Sequence, residues 1–337
     1  MVNKIDFIDL NILLFFFILN FLFYIFHNRF FKIFNLYDKP NKRKIHTIIT
    51  ACSGGIFIAI NVFILLLFFI LDLNELSLSN FFVGKKQFYS FLLTSLFFLL
   101  FGIGDDKYNF SANKKFFWFT IIIFQNCIFD SDLRINTIYF LDYIVIDLNS
   151  ASLIFTIISI LAFINFFNMF DGINLQSIIY SFIIFCFFIY NNVAELFFIT
   201  LTLCLIPLLY LNYRGKVFLG NNGIYLLGYL ISYFMIKSYN LNAISVEDIM
   251  LIIMIPFLDM LRLIIIRTIN NKNIFEADKC HIHHIFLKKF GLFKTNIIIQ
   301  LLIVLPFILS TIYQQKIFFI FVIFIVYTIL IYSLKKN

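Results

Sequence analysis

The chain is expected to be an all-α polytopic integral membrane protein, and composition, apolar run length and the placement of basic residues predict it. Of 337 residues, 62% are hydrophobic and only 13% are charged, too little charge to cover a water-soluble domain. Apolar runs approaching the roughly 20 residues that cross a hydrocarbon core recur along the whole sequence. Lys and Arg gather in alternate connections, the pattern left by membrane insertion.

Eleven spans follow in order: Phe7 to Phe26, Gly55 to Leu73, Phe88 to Ile103, Phe116 to Phe129, Ala151 to Phe167, Ser177 to Tyr190, Leu196 to Leu211, Ile224 to Tyr239, Ile249 to Ile266, Asn296 to Tyr313 and Ile317 to Leu334. Pro207, Pro256 and Pro306 fall inside spans and mark candidate kinks, since neighbouring helices can satisfy the carbonyls that proline frees. The first span follows only Lys4 and has no small-residue cleavage site after it, so it reads as a retained helix rather than a signal. Five scattered cysteines imply no disulfide framework. Residues 1–337 read as one transmembrane domain.

Most of the 26 Lys and Arg lie in connections on one side. That asymmetry places the N-terminus outside, the C-terminus in the cytoplasm and the loop set richest in Lys and Arg at the cytoplasmic face of an inner (plasma) membrane. A net charge of +8 is then accounted for by topology and anionic head groups, and no nucleic acid is expected.

Five polar clusters interrupt the apolar background, all on the predicted cytoplasmic face: DKPNKRKIH (Asp38 to His46), FGIGDD ending at Asp105 and Asp106, NFFNMFDG (Asn165 to Gly172), KVFLGNNG (Lys216 to Gly223) and DKCHIHH (Asp278 to His284). Adjacent carboxylates repel, and a divalent cation is the simplest way to keep both ionised; a solvated helix cap is the alternative. Asn165, Asn168 and Asp171 recur every three residues, so their side chains share one helix face before Gly172 ends it. Interhelical hydrogen bonding by Asn is the alternative there.

The basic loop with Lys44 and His46, followed by Gly54 and Gly55, suits an anionic ligand held by cations and glycine-rich helix-start amides. It serves equally as a topology signal. Asp259 and Arg262 lie three apart on one face and read first as a structural ion pair. His281, His283 and His284 with Cys280 could hold zinc, although a structural zinc site normally joins two separated ligand pairs; hydrogen bonding to phosphate or sugar is the favoured reading.

In this order the motifs DKPNKRKIH, GIGDD, NFFNMFDG, FLGNNGIYLLG, PFLDMLRLIIIR and DKCHIHH resemble the polyprenyl-phosphate N-acetylhexosamine-1-phosphate transferases. The HIHH form is similar to the branch that initiates O-antigen, teichoic-acid or related glycans rather than the peptidoglycan translocases. The resemblance implies transfer of a sugar 1-phosphate from a UDP-sugar to undecaprenyl phosphate, with release of UMP and dependence on Mg2+. It implies catalytic roles for Asp105, Asp106 and Asp171, metal contacts from Asp105, Asp106 and Asn221, and substrate contacts from Lys44, His46, Asn168, Arg262, His281, His283 and His284. A homodimer is the assembly to test.

Three positions depart from the family pattern. Asn221 stands where the family has the Asp of GDxGS, Asn174 replaces a second Asp after DG, and Ala51 replaces a Pro before the glycine pair. An amide oxygen binds magnesium without the charge that favours it, so an impaired paralogue is one alternative. A transporter of lipid-linked sugars is another, but it should carry polar groups at the bilayer midplane and a repeated topology, whereas these clusters share one face.

Overall fold

The structure is a computed structural model that describes residues 7–40, 48–71, 78–141, 143–273 and 280–335. Lys44, His46 and Asp278 lie outside the described residues. Among those described there are eleven α-helices: α1 (Phe7–Phe34), α2 (Gly54–Ile70), α3 (Lys85–Tyr108), α4 (Ala112–Phe129), α5 (Ser152–Phe170), α6 (Gln176–Tyr190), α7 (Glu195–Tyr213), α8 (Gly220–Asn240), α9 (Val246–Ile269), α10 (Ile282–Tyr313) and α11 (Lys316–Lys335). Each overlaps one predicted span; the Gly55 to Leu73 span extends beyond α2, and Ala151 precedes α5. Seven are long and apolar enough to cross a membrane, and α2 and α6 are shorter apolar helices, which makes the chain an all-α multi-pass membrane protein.

Pro207, Pro256 and Pro306 all sit inside continuous helices. The break within α10 comes instead at Gly291, with φ 73° and ψ 172°. Upstream of it, the segment carrying Lys288 and Lys289 is helical but too charged to be read as lipid-facing, so α10 begins well before the expected Asn296.

Burial reverses the usual expectation for the central element. In α8 every residue from Asn222 to Ser238 is buried, so α8 faces other helices rather than lipid and can carry polar side chains. Tyr225, Tyr229 and Tyr233 recur every fourth residue and stack along one face. Their hydroxyls donate to Asp105 Oδ2 at 2.7 Å, Asn126 Oδ1 at 3.3 Å and Asp130 Oδ2 at 2.6 Å. Lys237, within the predicted span Ile224 to Tyr239, is buried in the last turn and paired with Asp130 Oδ1 at 2.8 Å. A charge there persists because its partner is buried with it.

Close crossings set the positions of α2 and α3 against α8. A Cβ on Gly55 would lie 2.1 Å from Gly223 Cα, and one on Gly102 would lie 2.4 Å from Asn222 Cα. Only glycine permits backbones to approach so closely.

Two short hairpins occur where no strand was expected. β1 (Tyr37–Asp38) pairs antiparallel with β2 (Thr50–Ala51), and β3 (Thr137–Phe140) pairs antiparallel with β4 (Ile144–Asp147). Both lie in connections between helices, where the backbone must find partners other than a helical turn. Ala51 also bridges Val217, and Phe218 N donates to Ala51 O at 2.7 Å. The segments before α2 and before α8 are thereby joined.

Candidate active site

The GDD and GNNG motifs meet through hydrogen bonds. Asp106 Oδ1 accepts from Asn221 N at 2.8 Å, while Oδ2 accepts from Asn222 N at 3.2 Å and from Asn222 Nδ2 at 2.5 Å. Asp106 therefore caps the positive end of α8. Asn222 Nδ2 also donates to Cys52 O at 2.7 Å, which ties in the start of α2. The side-chain amide of Asn221 has no hydrogen-bond partner among the described residues and is partly exposed.

Asp105 has a different set of contacts. Its Oδ1 accepts from Phe110 N at 2.7 Å, and its Oδ2 accepts from Tyr225 and lies 2.6 Å from Lys115 Nζ. The side chain is 1% exposed. Both oxygens are engaged in joining α3, α4 and α8, as both oxygens of Asp106 are engaged by the start of α8.

The Gly54 and Gly55 amides, expected to be free for an anion, are not: they donate to Phe218 O at 3.1 Å and Leu219 O at 3.0 Å. The glycine-rich start of α2 is therefore a packing joint.

At the end of α5, Asp171 is the C-terminal capping residue. Its Oδ1 accepts a short hydrogen bond from Ser177 Oγ on the first turn of α6. Burial pushes its carboxyl up from 3.8 to about 6, with the charge of Asp106 adding to the rise, so the two carboxylates are close enough to feel one another. Asn168, one turn earlier, is half-buried and its side chain has no hydrogen bond among the described residues. Asn165 instead donates to Leu161 O at 2.8 Å, the back-bonded role that needs no ligand.

Asn174 is also structural. Its Nδ2 donates to Asn212 O at 3.1 Å and its carbonyl accepts from Asn296 Nδ2 at 3.0 Å. The loop after DG is thereby fastened to α7 and α10.

The imidazoles reach the same place through Gly172. A Cβ on Gly172 would fall 1.8 Å from His283 Nε2, so the ring of His283 rests directly on the DG turn. His283 is fully buried, with neither ring nitrogen hydrogen-bonded among the described residues. His281 stacks on it at 5.2 Å between ring centroids, and the His284 ring is 4.3 Å away.

Behind the histidines, Asp259 Oδ2 is 2.8 Å from His281 Nδ1, and its Oδ1 accepts from Arg262 Nη2 at 2.8 Å, Tyr327 at 3.0 Å and Ile282 N at 3.1 Å. The expected Asp259–Arg262 ion pair is present, and it also positions His281. Arg262 Nη2 donates further to Cys280 O at 2.7 Å. Asp259, His281 and His283 present ligand atoms within 4.8 Å of one another; Cys280 is exposed and outside that group.

Asp106, Asn221, Asp171 and the histidines are thus linked, pair by pair, from GNNG to HIHH, with Arg262 supporting them through Asp259. Sequence reasoning missed Ser177, Lys115, Tyr225 and Tyr327. The four-residue spacing of Tyr225, Tyr229 and Tyr233 was the available signal for a polar face on α8. Nothing local marked the others.

Residues 88–239 match the family model for glycosyl transferase family 4, a stretch containing the GDD, DG and GNNG motifs. The undecaprenyl-phosphate alpha-N-acetylglucosaminyl 1-phosphate transferase of Salmonella typhi is 25% identical over 267 residues, covering 75% of this chain and 69% of that protein. The protein of the same name from Thermotoga maritima is 30% identical over 119 residues, covering 35% of this chain and 39% of that protein. A glycosyl transferase family 4 match laid over a helical membrane bundle likens the chain to membrane sugar-phosphate transferases. With the ordered motifs, these matches make the chain similar to the polyprenyl-phosphate N-acetylhexosamine-1-phosphate transferases.

Proposed function

We propose that the protein transfers an N-acetylhexosamine 1-phosphate from a UDP-sugar to undecaprenyl phosphate at the cytoplasmic face of the plasma membrane, initiating a cell-envelope glycan. The relatives named above are N-acetylglucosaminyl transferases by name, so UDP-N-acetylglucosamine is the first donor to test. The observation that carries the reading is the meeting of the GDD and GNNG motifs at Asp106, with the charge of Asp106 acting on Asp171 of the DG turn.

Two coupled carboxylates with an open amide oxygen fit a divalent cation. Asp106, Asp171 and Asn221 would hold Mg2+, with the neighbouring Asp105 tied to Phe110 N, Tyr225 and Lys115. Bound there, Mg2+ would neutralise diphosphate charge and polarise the phosphorus under attack.

In the net reaction an oxygen of the lipid phosphate bonds to the donor's sugar-bearing phosphorus. The bond from that phosphorus to the bridging oxygen breaks, and UMP leaves with that oxygen. The backbone amides of α8 fix Asp106, and Ser177 holds Asp171 in one orientation. His281, His283 and His284 would bind the donor through ring N–H groups, with His281 oriented by Asp259. Lys44 and His46 are assigned to phosphate binding on their charge.

Purified protein with undecaprenyl phosphate, Mg2+ and a panel of UDP-sugars tests the reading. UMP release with UDP-N-acetylglucosamine or another UDP-N-acetylhexosamine is expected. Absence of UMP with every donor, from folded protein, would overturn it.

A further inference from the structure

The hairpin β3–β4 stands at the opposite end of α8 from Asp106. That helix has 21 residues, about 30 Å at roughly 1.5 Å per residue, which is close to the hydrocarbon thickness of a bilayer. The last turn of α8 holds the hairpin. Tyr239 Oη accepts from Tyr139 N at 2.9 Å and donates to Thr137 O at 2.9 Å, while Asn240 Nδ2 donates to Arg134 O at 3.1 Å. From α9, Glu247 Oε1 accepts from Leu141 N at 2.7 Å. The hairpin is fastened at its base and turn, yet all four residues of β4 are exposed.

Its register sorts the side chains by face. Ile138 is opposite Ile146 and Phe140 is opposite Ile144, and opposed residues share a face. One face is therefore Ile138, Phe140, Ile144 and Ile146, with no polar group; the other is Thr137, Tyr139, Val145 and Asp147. Ile144 is 41% exposed and Ile146 50%. A ribbon facing water is normally guarded by Lys, Pro or inward charge, and this face has none.

The exposed apolar surface continues onto the helices that the hairpin joins. Ile128 and Phe129 at the end of α4 and Ile154, Phe155 and Ile158 at the start of α5 are exposed, as side chains facing acyl chains are. Tyr139 and Tyr143 are exposed on the hairpin itself, and tyrosine is enriched at membrane–water boundaries.

The geometry points to an interfacial anchor: Ile138 packs on the protein core, while the β4 part of the apolar face, Ile144 and Ile146, beds into the head-group and acyl boundary of the leaflet opposite Asp106 and is covered by lipid. Because Tyr239 and Asn240 tie the hairpin to α8, this seating sets the depth of α8 in the bilayer. The anchoring does not depend on the transferase reading.

Tryptophan fluorescence tests it, because Trp118 is the single tryptophan. In a Trp118→Phe background, Ile146→Trp and Val145→Trp are compared in phosphatidylglycerol vesicles with and without brominated acyl chains. Blue-shifted emission from Ile146→Trp, quenched by bromolipid at least about twofold more than Val145→Trp, is expected from the opposed faces. Water-like emission quenched by iodide and not by bromolipid would overturn the anchor. So would emission shielded from both quenchers that changes on dilution with lipid, which identifies a second copy as the occupant. Ile144→Trp, on the same face, gives the same readings if Ile146→Trp does not fold.

Discussion

Asn222 holds Asp106 twice, its backbone N–H at 3.2 Å and its side-chain amide at 2.5 Å both donating to Oδ2. The same side chain donates to Cys52 O, so one amide couples the carboxylate to α2 and α8. Asn222→Ala should cost about 1.5 to 3 kcal/mol, the range for a hydrogen bond to a charged group. Thermal unfolding and UMP release together check this. An unchanged melting temperature and rate would show that the clamp is dispensable.

Asp105 and Asp171 should separate stability from turnover. Asp105→Asn leaves Lys115, 27% exposed, without its partner. A loss of about 2 to 3 kcal/mol is expected, less than for a fully buried pair because solvent still reaches the ammonium. Asp171→Asn should keep the melting temperature and lower turnover by orders of magnitude. The opposite pattern would reverse the two assignments.

The raised Asp171 carboxyl gives a pH signature. Its preference for the proton in the folded state contributes stability that is present below 3.8 and lost as pH rises through about 6. Mg2+ competes with that proton. The Mg2+ concentration for half-maximal UMP release should therefore climb as pH falls below about 6, and the climb should be shallower in Asp171→Asn, where Asp106 alone still exchanges a proton for the ion. A half-maximal concentration that stays flat across this range in the wild type would remove Asp171 from the metal set.

Gly172→Ala drives a methyl group into His283 Nε2 and must displace the imidazole. Overpacking of this kind costs about 1 to 3 kcal/mol, and the KM for the UDP-sugar should rise, as it should in His281→Ala. Donor kinetics unchanged in both variants would take the histidines out of the donor site.

Asn221 carries the missing charge. Asn221→Asp should lower the Mg2+ requirement about tenfold if the added charge is worth roughly 1.4 kcal/mol. Superimposable Mg2+ titrations of the two proteins would show that this side chain does not contact the ion.

Orientation has its own measurement. A cysteine at Asn192, exposed between α6 and α7, should react with an impermeant thiol reagent on intact cells, and one at Lys279 should not. Labelling at Lys279 would place the site outside.

Much of the architecture is local and was therefore legible. Apolar run length marked all eleven helices, and polar residues in an apolar background marked GDD, DG, GNNG and HIHH, because lipid tolerates few such interruptions. Tertiary structure alone decided how the marked groups are used. Asp105 and Asp106 are neighbours of one type, yet Asp105 is engaged by Tyr225, 120 residues away in the chain, and Asp106 by Asn222, 116 residues away. The same holds for the occupied Gly54 and Gly55 amides, the buried Lys237 and the hold of Ser177 on Asp171. A buried polar group takes whichever partner the packing brings to it, and in this bundle those partners come mostly from other helices, beyond the reach of any local pattern.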